Sequence, residues 1–178
     1  MAKNIVLGVT GSIAAYKACD LISMLRKKGY SVRCVMSKDA KWFVTPLTLE
    51  TLSQAKVIKD MFKLPDKRDP VHISLADEAD LVLIAPATAD VISKIASGVC
   101  DDILCCTVFA SDCPVLFAPA MNDKMYNNSI IQDKISYLQG KGYHFIGPVK
   151  GHLACGREGI GHLAPVEDIV EQVDKILA

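Results

Sequence analysis

The sequence has no surplus of charge of either sign, because 20 Lys and Arg residues stand against 20 Asp and Glu residues. It has neither a basic stripe nor an acidic tail, so it lacks the electrostatic attraction typical of proteins whose main partner is nucleic acid or a membrane surface. No apolar run approaches the length that spans a bilayer, and no signal-peptide pattern precedes the first predicted strand. We therefore expect a cytoplasmic protein with no nucleic-acid or membrane partner.

The sequence also lacks the patterns of a disulfide framework and of a zinc site. Its seven cysteines are an odd number, and without a secretory signal they predict free thiols. No C-x-x-C pair or neighbouring histidine completes a metal site around the loose group formed by Cys100, Cys105, Cys106 and Cys113. We expect these four to be small buried side chains on a helix, and we predict no metal.

What the sequence does contain is an alternation of short apolar runs with longer amphipathic stretches. The runs predict strands at 4–9, 31–36, 80–85, 114–118 and 143–146. The stretches predict helices at 13–28, 46–54, 72–79, 88–97, 101–111, 127–140 and 166–177, with exposed loops at 64–71 and 147–165. Strands this continuously apolar suit a sheet covered on both faces. We predict one α/β domain over 1–178, a doubly wound parallel sheet in a Rossmann-like or flavodoxin-like three-layer sandwich.

The segment after the first predicted strand resembles a nucleotide-binding turn with too few glycines for a dinucleotide. Of the three glycines of G-x-G-x-x-G only Gly8 and Gly11 are supplied, and no Walker A loop is present. Gly11 permits a tight turn that leaves the amides of Gly11, Ser12 and Ile13 at a helix N-terminus, where anions bind. After the second strand, Ser37 and Lys38 stand where a carboxylate would bind a ribose. This favours a mononucleotide with one terminal phosphate; the alternative is an ordinary turn glycine and capping serine.

The residues that follow the third and fourth predicted strands are further candidates, because ligands of doubly wound sheets bind beyond the carboxyl ends of the strands. Thr88, Ala89 and Asp90 follow the third strand, and Ala120 and Met121 follow the fourth. Thr88 either only caps the next helix or also donates a hydrogen bond to the edge of a planar heteroaromatic ring. The motif alone does not choose between these two interpretations.

Four motifs occur in a fixed order along the chain: "TGSIAAYK", "HISLADEADLVLIAPATADVISKIASG", "APAMNDKMY" and "ACGREGIGHL". Over residues 3–169 the chain thereby resembles the homo-oligomeric flavin-containing cysteine decarboxylases. The resemblance implies FMN as cofactor, with its phosphate at the first turn and near Ser37. It also implies a homotrimer or a dodecamer of trimers with the flavin at a subunit boundary. The motifs are most similar to those of members that convert 4'-phosphopantothenoylcysteine to 4'-phosphopantetheine in coenzyme A biosynthesis.

The same resemblance assigns catalytic and substrate-binding roles. It implies that His72 lies beside the flavin and is required for the oxidative step, as a base or by stabilising a thiolate. It implies that Asn122, next to Met121, binds the substrate carboxylate. A neutral amide suits that task, because it orients the carboxylate without the ionic stabilisation that would oppose its loss as CO2. On the residues alone, His72 would be a capping or surface residue, and Asn122 could equally be a helix cap.

Residues 147–165 correspond to the segment that closes over the substrate in this family. The resemblance implies that Ala154 and Gly156 contact the substrate there and that Cys155 is needed for the final reduction. A thiol on a mobile loop can give its proton to a carbanion-like carbon, whereas on sequence alone it could be an incidental exposed thiol. The segment departs from the family in having Arg157 where Asp is common and His-Leu at 162–163 where Arg-Met is common. Those differences bear on contacts with the far end of the substrate, and Arg157 itself could bind a phosphate.

The implied reaction supplies the electron sink that a plain cysteine lacks. Removal of a hydride from the cysteine Cβ gives a thioaldehyde, and loss of CO2 then places electrons in the C=S bond as an enethiolate, which is finally reduced. Two alternatives stay open: a peptidyl-cysteine decarboxylase of lantibiotic maturation, which stops at the enethiol, and a non-catalytic regulatory flavoprotein. The sequence fits both a stand-alone enzyme and one half of a bifunctional protein.

Overall fold

A parallel five-stranded sheet forms the centre of the protein. The structure, a computed structural model, describes residues 2–62, 70–152, 154 and 156–178. The strands follow the order β2-β1-β3-β4-β5, and all neighbouring pairs are parallel. They are β1 (Asn4–Val9), β2 (Ser31–Met36), β3 (Leu81–Ala87), β4 (Val115–Pro119) and β5 (His144–Phe145). This order is that of flavodoxin-like sheets, so the predicted fold class is confirmed.

The helices of the described residues cover both faces of this sheet. They are α1 (Ala18–Lys27), α2 (Pro46–Ser53), α3 (Val71–Glu78), α4 (Ala89–Ala96), α5 (Ile103–Ala110), α6 (Asp123–Tyr126), α7 (Ser129–Gly140) and α8 (Val166–Leu177). Short polar side chains start several of them by accepting a hydrogen bond from a backbone N–H of the first turn. These caps are Thr45, Thr88, Asp102, Asn122 and Asn128. The predicted helix at 13–28 begins instead as a 3-10 turn, Ile13–Lys17, that leads into α1.

Alternate residues of the strands enter two separate hydrophobic cores. Ile5, Leu7 and Val9 of β1 belong to the core that α1, α2 and α8 complete, whereas Val6 belongs to the core under α3, α4, α5 and α7. Both faces of the sheet are therefore buried, which explains why its strands are apolar at nearly every position. No helix in the described parts of the chain has the length and apolarity to cross a membrane.

The prediction that residues 147–165 form a loop is wrong. This segment contains an antiparallel ribbon of β6 (Val149–His152) and β7 (Glu158–His162), followed by the buried Leu163 and Ala164. The glycines of the ribbon hide the alternation of apolar and polar residues that would have indicated strands. Of the loop predicted at 64–71, only the last two residues are described, and the second of these begins α3.

The cysteine prediction holds fully for one residue of the four. Cys105 is buried on α5, where burial raises the pKa of its thiol. Cys106 also lies on α5 but is only half-buried. Cys100 is exposed and Cys113 is half-buried, and both lie outside the helix.

Candidate functional site

The carboxyl ends of β1 and β3 meet at the point where the order of the strands reverses. Thr10, which follows β1, connects them: its Oγ1 donates to the carbonyl oxygen of Pro86 at 2.6 Å and accepts from the backbone N–H of Thr88 at 3.2 Å. Its side chain is almost fully buried. Thr10 directly follows a strand, and the sequence places such residues at the ligand-binding edge, although it does not predict this connection to β3. The hydroxyl sets the spacing between two of the loops that surround the site.

The first turn has the tight geometry expected of it, with one difference in its hydrogen bonds. A Cβ on Gly11 would lie 2.7 Å from the Cβ of Asp39, so a side chain does not fit at this position. The prediction that all three amides face a ligand is wrong for Ser12, whose N–H donates to the carbonyl of Thr10 at 2.8 Å. The Ser12 Oγ accepts from the N–H of Ala14 at 3.3 Å and caps the 3-10 turn. Its hydroxyl proton is the group that can be donated to an anion.

A cavity of about 520 Å³, here called the switch-point cavity, lies beyond these strand ends. Its volume is in the range of small-molecule sites. Most of the sequence-predicted cofactor residues line it together: Gly11, Ser12, Ser37, Thr88, Ala89, Asp90 and Ala120. Lys38 and Asp39 complete the side next to β2. The structure thus brings the ends of β1, β2, β3 and β4 to one cavity.

A second cavity of about 440 Å³, here called the Asn122 cavity, adjoins the first. The two cavities share Ser12, Ala120 and Met121 as wall residues. The Asn122 cavity is further lined by Ile13, Ala14, Tyr16, Lys17, Asn122, His152, Ala154, Gly161, His162 and Leu163. Ile13, predicted as a cofactor residue, lines this second cavity and not the first. A ligand in one cavity therefore lies next to a ligand in the other.

Asn122 both caps a helix and lines the second cavity. Its Oδ1 accepts from the N–H of Lys124 at 3.0 Å at the start of α6, so the capping interpretation is correct. Capping uses the carbonyl end of the side chain, and the amide NH₂ is the end that can donate to a carboxylate. The neighbouring Met121 donates its backbone N–H to the carbonyl of Gly161 at 3.0 Å. A Cβ on Gly161 would lie 2.1 Å from the Met121 carbonyl oxygen, so β7 presses directly against this segment.

Thr88 acts as the cap of α4. Its Oγ1 accepts from the N–H of Val91 at 3.4 Å, while its own N–H donates to Thr10. It also lies in the wall of the switch-point cavity. The capping role is thereby confirmed, and a hydrogen bond from Thr88 to a ring edge stays a prediction.

Lys94, which sequence reasoning missed, forms ion pairs with the acidic side of the switch-point cavity. Its Nζ lies 3.2 Å from carboxylate oxygens of both Asp90 and Asp101 and 4.0 Å from one of Asp102. Burial alone would lower the pKa of Lys94, but the hydrogen bonds to Asp101 and Asp90 outweigh it and raise the pKa. Asp101, Asp102 and Cys105 bring three potential metal ligands within 4.8 Å of one another. The Lys94 ammonium already lies beside the carboxylates of Asp101 and Asp102. The spacing of Asp90 and Lys94 is the signal that could have indicated the pair.

His72 lies on α3, away from both cavities. This helix packs against α5, and His72 is not among the residues that line the switch-point cavity or the Asn122 cavity. Its Nδ1 is buried and has no hydrogen-bond partner among the described residues. Within the described residues of one chain, His72 thus lines neither the cavity that contains Asn122 nor the one beside it.

The ribbon places only part of the predicted clamp at the site. Ala154 is exposed and lines the Asn122 cavity, whereas Gly156, with φ +80°, is exposed and lines neither cavity. Cys155 lies outside the described residues. Arg157 Nη2 lies 3.3 Å from Asp123 Oδ1, so this side chain ties the ribbon to the first residue of α6. Arg157 thus has a carboxylate partner in this chain.

His162 and Lys17 meet in the wall of the Asn122 cavity. The Lys17 Nζ lies 2.9 Å from the His162 Nε2. Burial, and next the charge of Lys17, lower the pKa of His162, against a smaller opposing effect of a backbone hydrogen bond at His152. His162 is therefore neutral near pH 7, and its Nε2 accepts from the ammonium.

Known proteins resemble the chain over nearly its whole length. The Flavoprotein family model matches residues 1–178. The Coenzyme A biosynthesis bifunctional protein CoaBC of Bacillus subtilis (strain 168) is 46% identical over 176 residues, which are 99% of this chain and 43% of that protein. The chain thus spans less than half the length of that relative. The Probable phosphopantothenoylcysteine decarboxylase of Streptococcus mutans is 44% identical over 179 residues, 99% of this chain and 100% of that protein.

Solved structures share the whole fold. A PPC decarboxylase mutant complexed with pantothenoylaminoethenethiol is 32% identical and has a TM-score of 0.88, with 98% of each chain covered. The FMN binding protein AtHal3 is also 32% identical and has a TM-score of 0.85, covering 98% of this chain and 96% of its own. The family model matches the chain from end to end. The chain therefore belongs to the Flavoprotein family.

Proposed function

We propose that the chain is an FMN-dependent decarboxylase that converts 4'-phosphopantothenoylcysteine to 4'-phosphopantetheine in coenzyme A biosynthesis. The observation that carries the proposal is the pair of adjoining cavities that share Ser12, Ala120 and Met121. One lies where flavodoxin-like sheets bind their cofactor, and the other contains the neutral amide of Asn122. The names of the relatives and of the similar structures support the same activity.

The residues of the switch-point cavity fit a flavin mononucleotide. The close approach of Gly11 to Asp39 leaves backbone, and no side chain, at the start of the first turn. The hydroxyls of Ser12 and Ser37 can donate to a terminal phosphate at this edge. A flavin mononucleotide has no adenosine ribose that a carboxylate would bind. The residues after β2, Ser37 and Lys38, agree with this because neither carries a carboxylate. Bound there, FMN would supply the oxidation of the cysteine Cβ and the final reduction.

The chain's own residues orient the substrate. The cap to Lys124 holds the Asn122 side chain in one orientation, with its NH₂ as the donor to the substrate carboxylate. Because the carboxylate leaves as neutral CO₂, a hydrogen bond that is weaker than an ion pair keeps the ground state from being stabilised more than the transition state. We further propose that Cys155 protonates the carbon in the last step, and that Ala154 and Gly156 contact the substrate when the ribbon closes.

We also propose that His72 acts on the flavin of a neighbouring subunit in a homotrimer or a dodecamer of trimers. The location of His72 outside both cavities of its own chain supports this. Mixed oligomers of His72→Asn and Asn122→Asp chains test it, because some sites would then combine two intact residues. Recovery of activity on mixing two inactive variants is expected; no recovery would mean that His72 acts within its own chain.

The names of the bacterial relatives support a cytoplasmic location.

The activity itself is tested by mass spectrometry of the FMN-loaded protein incubated without oxygen. Phosphopantothenoylcysteine should lose CO₂ and appear as phosphopantetheine, and the Cys155→Ser variant should stop at the oxidised enethiol. A peptide with a C-terminal cysteine is the matched alternative substrate. Turnover of the peptide alone would favour a peptidyl-cysteine decarboxylase, and turnover of neither by protein with full FMN occupancy would favour a regulatory flavoprotein.

A further inference from the structure

The ammonium of Lys17 is a half-buried cation without a counter-ion in its own chain. Its partner is the ring of His162, with the Nζ 2.9 Å from the Nε2. No carboxylate pairs with Lys17 within the residues that the structure describes. A half-buried ammonium whose partner is a neutral acceptor keeps its charge available for an anion. The geometry therefore indicates an anion that is external to the described chain.

The two side chains come from distant parts of the sequence and hold each other in place. Lys17 ends the 3-10 turn that follows the first strand, and His162 ends β7. The backbone hydrogen bond at His152 orients the other side of the ring. Lys17 ends the shared motif "TGSIAAYK", whereas His162 stands at one of the places where the chain departs from the family, so the resemblance assigns no role to the pair.

The charge of the Asn122 cavity is compatible with an anion. Lys17, His152 and His162 line it, and no Asp or Glu is found among its described lining residues. The switch-point cavity differs in that four carboxylates line it beside its two lysines. Lys17 and His162 also line a further cavity of about 600 Å³, whose wall contains Lys27 as well as the acidic Asp20 and Glu167. A ligand with one end at Asn122 can therefore extend along the cavity wall to Lys17 and His162.

The proposed substrate has two acidic groups, a carboxylate on the cysteine and a phosphate at the opposite end. An ion pair to the carboxylate would stabilise the ground state of a group that must leave uncharged, and so would oppose the reaction. An ion pair to the phosphate has no such cost, because its charge is the same in substrate, transition state and product. Building on the proposed function, we propose that Lys17, positioned by His162, binds the terminal phosphate and makes the enzyme selective for the phosphorylated substrate.

The test compares 4'-phosphopantothenoylcysteine with pantothenoylcysteine, which differs only in the phosphate. The ratio of the two kcat/KM values measures the selectivity. In Lys17→Met and in His162→Leu this ratio is expected to fall on the order of tenfold, the loss of one charge-assisted hydrogen bond. Lys17→Arg, which keeps the charge, is expected to retain most of the selectivity. Lys175→Met is the matched control, because it removes an exposed lysine on α8 that pairs with Glu171, and its ratio should equal that of the unchanged chain.

Equilibrium binding gives a readout independent of turnover. Calorimetry with 4'-phosphopantetheine and with pantetheine should show the same tenfold loss of phosphate preference in Lys17→Met and His162→Leu. An unchanged preference, or an equal loss for both ligands, would overturn the phosphate assignment while leaving the decarboxylase proposal intact. Failure of the unchanged, FMN-loaded chain to decarboxylate either substrate would instead refute the proposed function.

Discussion

The hydroxyl of Thr10 donates to the carbonyl oxygen of Pro86 across the ends of β1 and β3 at 2.6 Å. The Thr10 Oγ1 also accepts from the backbone N–H of Thr88 at 3.2 Å. One buried side chain thus satisfies two backbone groups of the neighbouring strand end and determines how far apart the first turn and the α4 cap lie. Because both segments line the switch-point cavity, this connection couples the stability of the fold to the shape of the site.

Replacing Thr10 by Val keeps the shape of the side chain and removes its hydroxyl. The Pro86 carbonyl and the Thr88 N–H then lose a buried partner, so we expect the free energy of unfolding to fall by about 1–3 kcal/mol. FMN affinity should fall with it, because the cavity wall loosens. Urea denaturation and quenching of flavin fluorescence measure the two effects. Thr10→Ser restores the hydroxyl and is the control; a Val variant as stable as the Ser variant would refute the bridging role.

Gly8 in β1 lies where α5 packs most closely on the sheet. A Cβ at this position would lie 2.6 Å from the Cδ1 of Leu104, a fully buried side chain. We expect Gly8→Ala to lower the free energy of unfolding by about 1–3 kcal/mol through overpacking. The double variant Gly8→Ala, Leu104→Ala should lose less free energy of unfolding than the sum of the two single variants, because the smaller side chain at 104 makes room for the new methyl group.

The matched control for Gly8 is the same substitution at Gly140. Gly140 is the last residue of α7, and a Cβ there would meet no atom within 4 Å. Gly140→Ala should therefore raise the free energy of unfolding by roughly 0.5–1 kcal/mol, since alanine favours the helix. Equal urea midpoints for the two variants would contradict the close packing of β1 against Leu104.

The sheet could be predicted from the sequence because its strands are buried on both faces. The apolar runs at 4–9 and 31–36 coincide with β1 and β2. The ribbon of β6 and β7 escaped prediction because glycine and polar residues occupy most of its positions, and cross-strand pairing, not apolar burial, holds it together. The strand order is likewise a property of the packed molecule that no single run contains.

The residues of the candidate site could be predicted where they directly follow a strand. Thr88, Ala120 and Met121 follow strands, and a general rule places such residues at the ligand-binding edge. Lys17 escaped notice because its partner, His162, lies 145 residues further along the chain. The location of His72 outside both cavities was equally invisible, because the packing of α3 on α5 is a tertiary choice.

The carboxylate of Asp80 connects the start of β1 to the loop before β3, and its effect depends on pH. It accepts from the N–H of Asn4 at 2.7 Å and from Lys3 Nζ at 3.1 Å. The hydrogen bond from Asn4, and next the one from Lys3, hold the pKa of Asp80 below its usual value. A carboxyl whose pKa is lowered by folding stabilises the protein above its unfolded pKa, and this contribution is lost as the pH falls through the folded pKa.

Asp80→Asn should therefore lower the free energy of unfolding by about 1 kcal/mol near neutral pH. The loss is no larger because the ion pair with Lys3 is partly exposed to solvent. The difference from the unchanged chain should shrink below about pH 4, where the carboxylate gains its proton. Urea denaturation at a series of pH values measures it. Asp77→Asn, on the exposed side of α3, is the control and should give parallel curves; a constant difference for Asp80→Asn would contradict the assignment.

Asn122 has two roles that different substitutions can separate. Asn122→Asp keeps an oxygen to accept from the N–H of Lys124, so we expect stability within about 0.5 kcal/mol of the unchanged chain. It also sets a negative charge against the substrate carboxylate, a repulsion of about 3 kcal/mol that should lower kcat/KM by a factor on the order of 100. Asn122→Ala removes the cap as well and should cost about 1 kcal/mol of stability.

The comparison of these two variants decides whether the Asn122 side chain acts on the substrate or only shapes the loop. If it only capped α6, activity would follow stability, and Asn122→Asp would be nearly as active as the unchanged chain. If it binds the carboxylate, activity is lost in the variant that stays folded. Urea denaturation with steady-state kinetics on the same preparations measures both quantities. The aspartate variant is the more informative one, because its loss of activity cannot be attributed to a missing cap.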